Sequence, residues 1–428
     1  MALAKLAEDQ PFLGIPFSTK EGIRVRGLHH SYGLVSRRDV IAEEDATAVK
    51  LLRAAGAIPL CVTNVSELGS WWDSSNYVYG ITSNPHSLAY SPGGSSGGEA
   101  ALLASAGIII SLGSDTGGSI RTPAAFCGVF GHKPSPQTVS TKGAWINDKQ
   151  DEYLTIQSLG PLTRHSEDLL PVTRVLLGVN THLLSLDKEV ALSRCQYYIL
   201  TTQIGGNLTS MLDPEVRLGL QSVVNYIEDF YGVRVRPLHL PELDNCLAMF
   251  STAASECNTG SLIEDSGISW VSVELLKMLT GRSTYTFPVL AQSLMERTQN
   301  VVTALSSSDN TVSVGETDQV VNELELLKNK VRNILGESGL LLSPAHPTAP
   351  PYHYQSYSKP FNFLYTAVFN MLGLPATAIP VGTSQSRSGQ VPDHDIGVDP
   401  IYYSGCRLLC RWLLGPAKTI SPWLWLNN

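Results

Sequence analysis

Two serines set in runs of small residues carry the strongest chemical signal in this sequence. Residues 91–134 read SPGGSSGGEAALLASAGIIISLGSDTGGSIRTPAAFCGVFGHKP. The loops Gly93-Gly94-Ser95-Ser96-Gly97-Gly98 and Asp115-Thr116-Gly117-Gly118-Ser119 bracket one run of helix formers and one β-branched run. Glycines beside a serine let a ligand approach the backbone closely. Thr116, Gly117, Gly118 and Ser119 offer successive backbone N–H groups, and the following SIRTPAAF can open a helix. Such a turn suits a developing oxyanion. Either loop alone reads as ordinary Gly/Ser punctuation; two of them, one helix and one strand apart, do not. A helix of about ten residues rises about 15 Å and a strand of about five residues about 16 Å. An antiparallel helix and strand would therefore return the chain to its starting level and make Ser95 and Ser119 neighbours.

A serine nucleophile needs a base, because its hydroxyl is protonated at neutral pH. The histidines stand at 29, 30, 86, 132, 165, 182, 239, 346, 353 and 394, and none sits in a catalytic-looking loop. His132, on a short strand before Lys133-Pro134, reads as structural. The alternative is a lysine kept neutral by burial. Lys20 follows the apolar, strand-like FLGIPF at 12–17 and sits in Ser18-Thr19-Lys20-Glu21-Gly22. A lysine met in isolation is ordinarily a solvated surface residue, so spacing alone leaves the base open. Gly93-Gly94-Ser95-Ser96-Gly97 also matches the G-x-S-x-G nucleophile elbow, but that motif must follow an apolar strand. Here SNPHSLAYSP precedes it, and the elbow is rejected.

The elements that must position these residues follow from periodicity. Residues 45–56 (DATAVKLLRAAG) predict a helix with Asp45 as N-cap and Gly56 as its stop. Residues 57–62 and 108–112 read as strands, 99–106 as a helix between the serine loops, and 128–132 as a further strand. Alternation of helix and strand over the first 135 residues predicts an α/β sheet with helices on its faces. Further on, 197–200 and 233–238 read as strands around a helix at 214–230. Apolar residues over 245–300 suit helices, and 317–335 is an amphipathic helix. Strands at 340–343 and 375–381 flank a helix at 362–372, and 384–399 is a polar loop.

Composition narrows the class. A length of 428 residues with 43% hydrophobic and 16% charged residues describes a globular chain with a large core. A net charge of −8 argues against a nucleic-acid partner. Seven scattered cysteines without metal-ligand spacing read as free thiols in a reducing compartment. Residues 1–10 carry Lys5, Glu8 and Asp9 and no long apolar run, so no secretory signal is read there. No window reaches the roughly 18 apolar residues of a membrane span. The sequons at Asn64 and Asn207 carry little weight without secretion.

Pro-Gly-Gly-Ser-Ser-Gly-Gly at 92–98 followed by Gly-Ser-Asp-Thr-Gly-Gly-Ser-Ile-Arg-Thr-Pro at 113–123 closely resembles the signature of the amidase signature family. GIPFSTKE at 14–21 resembles that family's catalytic-lysine segment, and IPLCVTNVSE at 58–67 its following strand and loop. LSPAHPT at 342–348, PFNFLYT at 360–366 and Leu374-Pro375 look most like the fatty-acid amide hydrolases within it. The resemblance covers residues 11–382 and is weakest over 180–300. It implies a mixed central sheet covered by helices on both faces. It implies Ser119 as nucleophile, Ser95 in a cis peptide as proton relay, and Lys20 as base. The N–H groups of Thr116, Gly117, Gly118 and Ser119 would form the oxyanion hole. Asp115 and Arg121 would brace the loop, and Ser96 would hydrogen-bond the site. No metal or cofactor is required by this chemistry. The expected partner is a small, lipid-like amide substrate, with room for a homodimer and for peripheral membrane contact, in a cytoplasmic or membrane-associated protein.

The expected organisation is one catalytic domain over residues 1–390 and a divergent tail over 391–428, with the family's N-terminal helical portion absent. Two other readings stay open: a truncated amidase fold without activity, and an amidotransferase-like chain of the kind that amidates transfer-RNA-linked glutamate.

Overall fold

Parallel and antiparallel strands share one central sheet, and the ends of the parallel half gather the residues expected to do chemistry. A computed structural model describes residues 10–144, 154–184, 186–187, 191–255, 270–294 and 314–382, without the side chains of 314–317. The tail expected over 391–428 lies outside the described residues. The strands are β1 (Pro16–Lys20), β2 (Ile58–Thr63), the short β3 (Ser75–Asn76) and β4 (Gly80–Ile81), β5 (Ile110–Asp115), β6 (Phe130–Lys133) and β7 (Ser158–Thr163). They continue with β8 (Gln196–Leu200), β9 (Val235–Leu238), β10 (Gly339–Leu342) and β11 (Ala376–Ala378). The helices are α1 (Thr47–Ala54), α2 (Gly97–Ala104), α3 (Arg121–Cys127), α4 (Leu169–Leu177), α5 (Pro214–Tyr231), α6 (Cys246–Ser255), α7 (Val271–Leu279), α8 (Val314–Leu335) and α9 (Leu364–Met371).

The six-stranded sheet has the order β11-β6-β7-β5-β1-β2. β2, β1 and β5 are parallel, whereas β5, β7, β6 and β11 pair antiparallel. Successive side chains on a strand point to opposite faces. Phe17, Ile110, Leu112 and Leu159 accordingly pack on one face with Val49 and Leu52 of α1 and Val172 and Leu176 of α4. Leu162 and Ala378 pack on the other with Ala100 and Leu103 of α2 and Ala124 of α3. The sheet is thus mixed and covered on both faces. Because β1, β2 and β5 run in one direction, their ends, Lys20, Thr63 and Asp115, meet along one rim. A smaller parallel sheet, β10-β8-β9, packs beside α5, α8 and α9.

Two local expectations need correction. The first helix begins at Thr47 behind Ala46, with no side-chain cap. Asp45 instead accepts from the Arg26 N–H at 2.7 Å and pairs with Arg53 at 2.9 Å, so a long-range turn and an ion pair claim its carboxylate. Lys20, expected just beyond a strand at 12–17, is the last residue of β1 itself. The strand and helix at β7 and α4 carry no signal read from sequence. Asn64, at a sequon, donates to Ser74, Gly80 and Thr82 and is a structural tie.

Candidate active site

The rim of the parallel strands gathers the residues singled out above. Lys20 is 1% exposed and Ser95 fully buried. The Lys20 Nζ donates to Ser95 Oγ at 2.5 Å, to Ser114 Oγ at 2.9 Å and to the Ser114 carbonyl at 3.4 Å. Ser114 was not expected from sequence; nothing marks it among the small residues of β5. Burial pulls the Lys20 amine well below its ordinary 10.5, against the upward pull of Glu99 and Asp115. The amine therefore reaches its neutral, proton-accepting form at a lower pH than a surface lysine.

The two serine loops are adjacent. The Ser96 N–H donates to the Ser119 carbonyl at 3.1 Å, and Ser96 Oγ reaches the Ser114 carbonyl at 3.5 Å. The Gly94–Ser95 peptide is cis. A Cβ on Gly94 would strike the backbone of Asp73, so only glycine allows this approach. Ser119 itself is half-buried, as are Thr116 and Gly117, so the second loop is open to a ligand while the first is sealed behind it.

Asp115 organises the second loop. Its carboxylate accepts from the N–H of Gly118 at 2.8 Å and of Ile120 at 3.1 Å. Arg121 grips it with two donors, at 2.9 and 3.0 Å. Burial pushes the Asp115 carboxyl up, but the Arg121 charge overrides this and holds it far below the usual range. The four N–H groups expected as oxyanion donors are differently engaged. The Gly118 N–H is engaged by Asp115, whereas those of Thr116, Gly117 and Ser119 donate to no described residue.

Helix α9 supplies a support that sequence reading missed. Asn370 Oδ1 accepts from Arg121 at 2.5 Å, and its Nδ2 donates to Asp115 Oδ1 at 3.0 Å and to the Ile156 carbonyl at 3.1 Å. Thr366 Oγ1 donates to the Gly117 carbonyl at 2.8 Å, while its own carbonyl accepts from Arg121 at 2.8 Å. Both are polar residues in a helix whose every residue is buried. That contrast was a usable signal, since a buried polar group needs a partner. Beside the loop, Phe250 and Phe363 meet edge to face at 5.3 Å and flank Gly117.

His132 lies on β6, fully buried, with Nδ1 within 2.8 Å of Thr377 Oγ1. It is a structural residue away from the serines.

The profile of the family described as Amidase matches residues 2–399. This chain belongs to the amidase family. The amidase is 38% identical to fatty-acid amide hydrolase 2 of Homo sapiens over 388 residues, spanning 89% of this chain and 71% of that protein. It is 29% identical to a glutamyl-tRNA(Gln) amidotransferase chain of Akkermansia muciniphila, over 89% of this chain and 82% of that one. Among solved structures, the corresponding amidotransferase chain of Thermotoga maritima superposes with a TM-score of 0.67 at 21% identity. That superposition covers 88% of this amidase and 78% of the other chain and is a likeness of fold. No helix among the described residues is long and apolar enough to cross a membrane.

Proposed function

We propose that this amidase-family hydrolase cleaves the carboxylic amide bond of a lipid-like substrate through an acyl-enzyme on Ser119. One observation carries the reading: a buried lysine amine donates to Ser95, and the adjoining residue, Ser96, is hydrogen-bonded to Ser119. Neutral Lys20 takes the proton of Ser95, and Ser95 takes that of Ser119. The Ser119 oxygen attacks the carbonyl carbon, and the backbone N–H groups of Thr116, Gly117 and Ser119 receive the developing negative charge. The C–N bond then breaks, and Ser95 returns a proton to the amine, which could not leave as an anion. Water hydrolyses the ester, freeing the acid and Ser119.

The half-buried aromatic pair Phe250 and Phe363 beside Gly117 supports a hydrophobic acyl group. Contact with a lipid surface belongs to the same proposal. Trp270, just before α7, and Val273, Leu276 and Leu279 on it are exposed apolar residues of the kind that can lie on membranes. The testing experiment is release of free fatty acid from a fatty primary amide by the purified chain. Loss of release in Ser119→Ala is expected; equal release by that variant would end the proposal.

A further inference from the structure

A buried acid stands behind the base and has no part in the cycle above. Glu99, in the first turn of α2, is fully buried. Its Oε1 accepts from Thr63 Oγ1, and its Oε2 is buried with no hydrogen-bond partner among the described residues. Thr63 ends β2 as the cross-strand partner of Lys20. A Cβ on Gly98 would strike Thr63 Oγ1 and the Asn64 backbone, so the start of α2 lies hard against this strand end. An ionised carboxylate with one oxygen unpaired in the interior is costly unless a nearby cation offsets it.

The groups that face this pair are few. The charge of Glu99 acts on Lys20 at the end of β1 and on the Cys61 thiol of β2. Asp115 of β5 also acts on Lys20, but Arg121 of α3 is bound to it and Lys133 of β6 acts on it too. Glu21, next to Lys20, is held elsewhere by Ser31, Tyr32 and Tyr79. Lys20 is thus the cation acting on Glu99, and Glu99 acts on Lys20 more strongly than Asp115 does.

We propose that Glu99 is a positioning residue for the base: its carboxylate stabilises the ammonium formed when Lys20 takes the Ser95 proton, and so sets the pH range in which Lys20 works. The proposal rests on Lys20 being the base. Burial raises the Glu99 carboxyl to about 7 against the Thr63 hydrogen bond and the Lys20 charge, so above that pH Ser95 loses one proton to Lys20 and regains one from Ser119 while Glu99 stays ionised. A carboxylate near an ammonium raises its proton affinity. Glu99 therefore strengthens the base and moves its titration upward, opposing the effect of burial.

Glu99→Gln keeps the volume and an acceptor for Thr63 but removes the charge. The pH dependence of fluorophosphonate labelling should then show its half-rise displaced downward by about 1–2 pH units. The plateau above it should fall, because a weaker base accepts the proton less well. Glu99→Asp should move the half-rise back toward that of the unchanged chain. Thr63→Val, which withdraws the hydrogen bond favouring the ionised acid, should displace it downward by less, and decides the matter if Glu99→Gln does not fold. A lowered plateau with an unmoved half-rise in these variants overturns the proposal and assigns Glu99 to packing alone. The underlying reading fails differently: labelling that persists unchanged in Lys20→Ala removes Lys20 as base.

Discussion

The amine of Lys20 lies 2.5 Å from the hydroxyl of Ser95, although 75 positions separate them in the chain. A strand end and a glycine loop meet there, and the pairing of β1 with β5 also brings the amine within reach of Ser114. The chemistry of this amidase is read most directly at that contact.

Removing the base should slow the reaction without removing the nucleophile. Lys20→Ala is expected to lower amide hydrolysis by about 10²–10⁴, the range for a positioned base. Steady-state assay on a fatty amide measures it. A loss smaller than tenfold would mean that another group takes the proton.

The pH profile has a defined direction. On the proposed cycle Lys20 works as a neutral amine, so activity should rise with pH as Lys20 gives up its proton. Burial lowers that titration, and the half-rise of kcat/KM should fall below 10.5. A half-rise at or above that value would describe a hydrated lysine.

Breaking the brace should destabilise the whole chain. Arg121 and Asp115 are 2% and 0% exposed. Arg121→Ala leaves the acid buried and uncompensated, a loss of about 3–5 kcal/mol. Urea denaturation reads it, and a loss under about 1 kcal/mol would show the pair to be solvated.

Gly118 has φ of 123° and no room for a Cβ beside Thr366. Gly118→Ala should shift the loop, misplace its donors and lower the labelling rate by at least about 10². Adding Thr366→Ala relieves the contact but not the backbone strain, so partial recovery is expected. Full labelling by the single variant would mean that the loop tolerates displacement.

Asp73 gives a stability prediction with its own sign. Burial raises its carboxyl from 3.8 to about 6, against hydrogen bonds from Ser356 and Ser75. A raised carboxyl in the folded state stabilises below pH 3.8, and that contribution is lost as pH rises through about 6. Asp73→Asn should therefore gain on the unchanged chain over this interval, by about 3 kcal/mol in all. Denaturation curves at several pH values decide it; a constant difference would place the titration elsewhere.

Much of this was legible in the sequence because glycine and serine tracts are unusual at that density. The 91–134 segment announced both loops, and the β-branched run at 108–112 announced the strand between them. Lys20 was legible only through family likeness, since a lysine in an apolar strand carries no sign of what it will face. Asp45 misled because a side chain suited to a helix cap found a better claim in Arg26 and Arg53. Asn370 and Thr366 escaped notice because their role depends on a distant loop. Glu99 opens the helix expected over 99–106, and nothing in the sequence marks its burial.

The clamp from α9 has a consequence for biosynthesis. During translation both serines and the lysine leave the ribosome long before Thr366 and Asn370. Until those two arrive, the Gly117 carbonyl lacks its donor and the Arg121 guanidinium lacks two of its acceptors. A growing chain thus carries Lys20, Ser95 and Ser119 well before the two residues that brace the second loop, so that brace is completed only late in synthesis.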